Sequence, residues 1–244
     1  MKQSVFTVIE NTPVTERVSR LRLRGDCSAI ERPGQFVNIA LPGLFLRRPF
    51  SVSDWNDDSL TLHYELVGKG TELLRSMQKG EKLDLLTGLG NGFDLSLAGE
   101  RPLLVGGGSG VSPLLGLARR LVQQGSRPHV ILGFDTREDI FLVDEMFHLS
   151  LSPSVTTADG SFGIRGLATD AMDLPHSFFY ACGPEAMLRA VQEKSPVSGQ
   201  LSFDARMGCG FGACMGCSKM TVNGPRRVCK DGPVFRKEEL TWED

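Results

Sequence analysis

Residues 101–125 read RPLLVGGGSGVSPLLGLARRLVQQG. The apolar run Leu103, Leu104, Val105 meets a glycine-rich turn at residues 106–110 and passes into a segment of helical periodicity that closes at Gly125. A buried strand, a glycine turn and an amphipathic helix in this order form the opening unit of a parallel α/β sheet, in which each crossover needs a helix. The turn departs from the G-x-G-x-x-G fingerprint, because Val111 stands where the third glycine belongs. Gly106, Gly107, Gly108 and Gly110 would still let backbone N–H groups approach a phosphate closely. A tight packing turn accounts for the same glycines equally well.

Downstream the pattern repeats. PHVILGF (128–134) is a second continuous apolar strand, EDIFLVDEMFHL (138–149) has helical periodicity, SVTTADG (154–160) is a weaker strand, and SFFYACGPEAMLRAVQEK (177–194) is again strand, turn and helix. Strands alternating with helices predict a doubly wound α/β nucleotide-binding domain over residues 99–200. In such a sheet an acidic ribose ligand follows the second strand. Asp135 stands there, but Arg137, two residues on, would suit a 2′-phosphate, so aspartate favours NAD while NADP stays open. Cys182, Gly183 and Pro184 form a turn at the carboxyl edge, where open α/β sheets bind ligands. A lone cysteine in such a turn is more often a buried small residue than a catalyst.

Upstream the texture is different. SVFTVIENT, VSRLRLRG, GQFVNIAL, RPFSVSDW and SLTLHYELV are short, rich in β-branched or aromatic residues and bounded by turn formers. They predict a small antiparallel β-barrel over residues 1–98, interrupted by one helix from Thr71 to Gly80. Arg47 and Arg48 precede Pro49, Phe50 and Ser51, so a cation and a hydroxyl could together hold a phosphate. A surface arginine pair on a turn is the plainer reading. The turn from Gly68 to Gly70 runs into the predicted helix start, where N–H groups and the dipole favour an anion.

Residues 201–244 contain MGCGFGACMGCSKM and then Cys229. Cys209, Cys214, Cys217 and Cys229 give C-x4-C-x2-C-x11-C, and the first three match the plant-type [2Fe–2S] spacing. Glycines between them let the backbone wrap tightly and bring N–H groups to the sulfurs. A structural zinc and a group of free thiols are the alternatives, although zinc sites usually arrive as two close pairs. Lys and Arg total 27 against 29 Asp and Glu, a net charge of −2 with no basic stripe, which argues against nucleic-acid binding. No apolar run reaches the roughly 20 residues a membrane span requires, and the N-terminal segment lacks a signal-peptide core. The expectation is a cytoplasmic protein, where clustered cysteines bind metal more often than they form disulfides.

With barrel, α/β sheet and cysteine cluster in this order, the chain resembles the ferredoxin–NADP reductase superfamily and, more closely, the electron-transfer subunits of class 1B dihydroorotate dehydrogenases. The resemblance spans essentially the whole chain. It rests on RRPFSV (47–52), VGKGT (67–71), GLGNGF (88–93), GGGSGVSPLL (106–115), DGSFGIRG (159–166), CGPEAML (182–188) and the cysteine segment. It implies FAD contacts at Arg48, Pro49, Phe50 and Ser51, at His63, Tyr64 and Glu65, and at Gly70 and Thr71. It also implies a [2Fe–2S] cluster on Cys209, Cys214, Cys217 and Cys229, with the GGGSG and CGP turns serving NAD as substrate. At His63 and Glu65 the family varies, so backbone contact is the implied role there.

By the same resemblance, a partner subunit oxidises dihydroorotate on FMN in pyrimidine biosynthesis. Electrons then pass singly through the cluster to FAD and leave as hydride on NAD+. A flavin is needed between the two because nicotinamide takes only two electrons and the cluster only one. Nothing in the sequence resembles a dihydroorotate pocket, so a heterotetramer of two such chains and two catalytic subunits is expected. A diaphorase subunit of a hydrogenase, a sulfite reductase or a ferredoxin-dependent oxidoreductase would share every motif. A zinc-stabilised adaptor would share only the cysteines.

Overall fold

The computed structural model describes residues 1–242; Glu243 and Asp244, the end of the predicted cluster module, lie outside the described residues. The first eight elements are β1 (Lys2–Pro13), β2 (Val18–Arg24), β3 (Phe36–Ala40), β4 (Arg48–Ser51), β5 (Asp54–Trp55), β6 (Ser59–Glu65), α1 (Lys69–Ser76) and β7 (Lys82–Leu89). The strands form one antiparallel sheet in the order β4-β3-β7-β1-β2-β6-β5. Their side chains alternate: Leu83, Leu85, Thr87 and Leu89 of β7 are buried while Asp84, Leu86 and Gly88 between them are half-buried. The inward set, including Phe6, Leu21, Leu23, Val37, Ile39 and Leu62, makes a core inside the curled sheet. Because β4 and β5 are its two ends and, among the described residues, pair with no further strand, the predicted barrel is an open, curled half-barrel.

The second sheet takes β8 (Pro102–Gly107), β9 (His129–Phe134), β10 (Ser154–Thr157), β11 (Ile164–Arg165), β12 (Phe178–Cys182) and β13 (Gly199–Ser202). Helices α2 (Ser112–Gln123), α3 (Val143–His148) and α4 (Glu185–Lys194) follow β8, β9 and β12. The sheet order is β11-β10-β9-β8-β12-β13, all parallel, so the chain reverses its direction of winding between β8 and β12. Helix α3 is shorter than its periodicity predicts. The Asp139 carboxylate accepts the Thr136 backbone N–H and hydroxyl in a separate turn, and Phe141 leaves the helical path to pack against His63 and Phe134 at ring distances of 5.5 and 5.8 Å.

The last segment adds a hairpin, β14 (Ser218–Thr221) and β15 (Gly224–Arg227), and then β16 (Val234–Arg236), which returns antiparallel to β13. The expected boundary at residue 200 therefore falls inside β13, and the cysteine segment feeds a strand back into the nucleotide sheet. Asn91, in the GLGNGF stretch, fixes that return: its side chain donates to the Val234 carbonyl at 2.7 Å and accepts the Val234 N–H at 3.1 Å. Ser53 locks the half-barrel to α2 by donating its hydroxyl to the Ser112 carbonyl and accepting the Gly116 N–H on its own carbonyl.

Candidate functional site

The structure separates the two arginines of RRPFS. Arg47 is held by Asp84, at 2.9 Å, and by the Asp84 carbonyl, so it serves the sheet. This guanidinium keeps the Asp84 carboxyl below its ordinary pKa. Arg48 lies over the start of α1, where a Cβ added to Gly70 would come within 3.1 Å of its Nε. A cation and a helix N-terminus, each weak alone, thus face the same volume. The Thr71 hydroxyl accepts the N–H groups of Val67 and Gly68 and donates to the Gly68 carbonyl, which fixes the glycine turn. Ser51 is exposed on the same strand, β4. A cavity of about 560 Å3 opens here, lined by Leu46, Arg47, Arg48 and Pro49 on one side and Asp204, Ala205, Arg206 and Met207 on the other. It lies between β4 and the entry to the cysteine loop.

His63 and Tyr64 point elsewhere. Tyr64 packs edge-on to Phe50 at 5.9 Å and donates its hydroxyl to Asn11 in the half-barrel core. His63 is buried, with Nδ1 3.0 Å from the Ser53 hydroxyl and no partner for Nε2 among the described residues. Burial, with the nearby Arg20 charge, lowers its pKa to about 4. Both side chains are committed to packing, which leaves the backbone of β6 and the half-buried Glu65 as what this strand can offer a ligand.

The two turns expected to receive the nucleotide meet at the switch between β8 and β12. A Cβ on Gly110 would collide with the Cys182 carbonyl, and one on Gly183 would stand 3.1 Å from the Gly107 nitrogen. Packing therefore explains Gly110 and Gly183, while Gly108 is exposed with open space around it. Burial pushes the Cys182 thiol up to about 12, so it stands as a neutral small residue. Asp135 and Arg137 are both exposed beyond β9. The DGSFG turn backs them: Ser161 accepts the Arg137 N–H at 2.8 Å, and the Asp159 N–H donates to the Asp135 carbonyl.

The four cysteines of the last segment converge as two pairs. Cys214 is the thiol that acts on Cys209 and Cys217 the one that acts on Cys229, whose N–H also donates to the Cys217 sulfur at 3.4 Å. Among the described residues no three His, Cys, Asp or Glu side chains are grouped around a single metal position. Two thiol pairs suit a two-iron cluster, which takes two protein ligands on each iron, better than one tetrahedral zinc. Burial works to raise the Cys209 pKa, but the N–H groups of Phe211, Cys214 and Ala213 outweigh it and bring it to about 6. Burial first, then the neighbouring thiols, push Cys229 up to about 12. Four adjacent thiolates need a cationic centre to stay charged together, so the donor set fits a metal cluster.

Two residues outside the sequence reading hold this loop. Arg227 donates to the Gly212 carbonyl at 2.8 Å and pairs with Asp231 at 3.0 Å, tying the cysteine loop to the hairpin. Asn38 of β3 donates to the Cys209 carbonyl at 3.1 Å. Its signal was an amide at the centre of the apolar strand FVNIA.

Comparison with known proteins agrees with this geometry. The iron–sulfur cluster binding domain of dihydroorotate dehydrogenase B matches residues 204–241, and the oxidoreductase NAD-binding domain matches residues 104–193. A chain of the NADH-dependent reduced ferredoxin–NADP oxidoreductase, solved to study flavin-based electron bifurcation, superposes with a TM-score of 0.87 at 29% identity, covering 98% of this chain and 90% of that one. A ferredoxin–NADP+ reductase from Neisseria gonorrhoeae with bound FAD and NADP shares the fold at a TM-score of 0.68 and 19% identity, covering 80% of this chain and 90% of its own. The molecule is thus an oxidoreductase built on the ferredoxin–NADP reductase fold. The dihydroorotate dehydrogenase B (NAD(+)) electron transfer subunit of Geobacillus sp. (strain WCH70) is 40% identical over 255 residues, with 98% of this chain and 99% of the relative covered. The chain belongs to that family of electron transfer subunits.

Proposed function

We propose that the chain carries electrons from an FMN-containing dihydroorotate dehydrogenase catalytic subunit to NAD+, within a cytoplasmic heterotetramer of two chains of each kind. The observation that carries the reading is the cavity between β4 and residues 204–207, the segment that leads directly into the cysteine loop, which Asn38 of β3 holds at the Cys209 carbonyl. When bound, FAD exchanges a hydride with nicotinamide and single electrons with the cluster, joining two carriers that cannot react directly.

The chain's own residues have separate tasks in this scheme. Arg48, Pro49, Phe50 and Ser51, with Gly70 and Thr71, hold the flavin and its pyrophosphate, and the β6 residues His63, Tyr64 and Glu65 border it. The turns at residues 106–110 and 182–184 receive the nicotinamide nucleotide, with Asp135 at its ribose. Cys209, Cys214, Cys217 and Cys229 hold the cluster. Cys214 is exposed, and so are Phe211, Met215 and Met220 of the same segment, each between 44 and 51%, which suits an edge that meets a partner. Among the described residues no helix is long and apolar enough to cross a membrane.

Co-purifying the chain with a dihydroorotate dehydrogenase catalytic subunit and assaying orotate-linked NADH production tests the proposal. Coupled turnover that needs both chains and prefers NAD over NADP is the expected result. Dye-linked NADH oxidation without orotate production would move the chain to another electron-transfer complex.

A further inference from the structure

Asn38 is among the most deeply buried polar residues in the molecule, at 1% exposure, and its place in the sheet shows what it faces. Val37 and Ile39 on either side point into the half-barrel core, so alternation turns Asn38 outward. There it meets the cysteine loop instead of water. A carbonyl can only accept, so the amide nitrogen faces Cys209 O and Oδ1 is the free end. That oxygen is buried with no partner among the described residues. A buried, half-satisfied amide is a poor packing element in an apolar strand, so packing does not account for it.

The loop is shaped around this side chain. Gly210 follows Cys209 with φ at +76°, and a Cβ there would run into the Asn38 amide nitrogen. On the other side, Asn38 stands opposite Pro49 in the β3–β4 ladder, and its carbonyl accepts from Arg47 at 3.4 Å. One residue therefore touches both the loop that begins the cluster site and the strand of the flavin site. The carbonyl it holds belongs to the peptide leading into the turn whose Ala213 N–H donates to the Cys209 sulfur at 3.3 Å.

We propose that Asn38 is the positioning residue that seats the cysteine loop on the flavin half-barrel, orienting the 209–210 peptide through its amide so that the following N–H groups point at the Cys209 sulfur. The inference rests on the proposed ligand set. Outer contacts of this kind orient ligands without touching the metal, and their loss weakens metal retention about 10- to 100-fold.

The test compares wild-type holoprotein with Asn38→Asp, which keeps the shape but removes the donor, and with Asn38→Ala, which removes it without adding charge. Iron and acid-labile sulfide content, the rate of bleaching by a chelator, and the EPR spectrum of the reduced protein are read alongside FAD content and dye-linked NADH oxidation. Expected are bleaching about tenfold faster in both variants and a shifted EPR signal, with FAD content and dye activity within about twofold of wild type. Unchanged bleaching and spectrum, or flavin and cluster lost in parallel, would overturn the proposal. Wild-type protein without iron would instead remove the ligand assignment beneath it.

Discussion

The half-barrel buries Phe6, Leu21, Leu23, Leu60, Leu62 and Leu85 in a core of its own, whereas the cysteine segment has none. Its buried residues Cys217, Val228 and Cys229 pack into a cluster shared with Phe36 and Leu89 of the half-barrel and with Leu103, Phe203 and Phe235 of the nucleotide sheet and the segment entering it. At about 1.5–3 kcal/mol for each large apolar side chain buried, the half-barrel can hold its shape before any ligand arrives. A lone two-stranded hairpin such as β14–β15 is marginal in water. Its order comes from docking against the seam, from the Arg227–Asp231 brace and, on the proposed ligand set, from a metal on its thiols. One redox group thus sits on a preformed scaffold and the other helps to build its own.

Breaking the second region should leave the first intact. Cys214→Ser is expected to abolish iron retention and partner-driven NADH production, while dye-linked NADH oxidation stays within about twofold of wild type. Iron analysis and the two assays on one preparation check this, and joint loss of both activities would show that the regions are not separable. Limited proteolysis of chelator-treated protein sharpens the point: the first cuts are expected between residues 204 and 241, with the half-barrel intact.

The converse substitution is Arg48→Ala. A charge-assisted phosphate contact contributes about 1.5–3 kcal/mol, so FAD affinity is expected to fall by up to roughly 100-fold. Fluorescence titration of flavin-stripped protein measures it. Iron content should be unchanged, because among the described residues Arg48 donates only to the Leu46 and Arg47 carbonyls.

The two regions also differed in how openly the sequence displayed them. The cysteines are local, four thiols in a span short enough for spacing alone to indicate the chemistry. The flavin-type site was readable only as two weak halves, because Arg48 and Gly70 are brought together by the curl of the sheet and by no sequence pattern. Periodicity found the strands but could not show that β4 and β5 leave the barrel open. It overextended α3, since Phe141 answers to a tertiary contact with His63 and not to the helix period. The roles of Asn38 and Arg227 were hidden for the same reason, although an amide inside FVNIA stood out: each acts on a backbone carbonyl distant in sequence or across a turn.

Acid should separate the regions most finely. His63 lies on the half-barrel side of the seam with α2, and burial together with Arg20 depresses its pKa from 6.5 to about 4. Between those values the unfolded chain binds a proton that the folded chain refuses, so stability is full above about pH 6.5 and falls as the pH drops toward 4. By pH 5 the expected loss is about 2 kcal/mol relative to pH 7. Urea midpoints of the ellipticity at the two pH values measure it. His63→Gln, which keeps a polar partner for Ser53, should flatten that slope. Cluster bleaching at pH 5 should persist in His63→Gln, since it depends on protonation of thiolates in the other region. A variant that lost both acid responses together would make the seam one cooperative unit, and the contrast between a ready-made scaffold and a metal-dependent one would not hold.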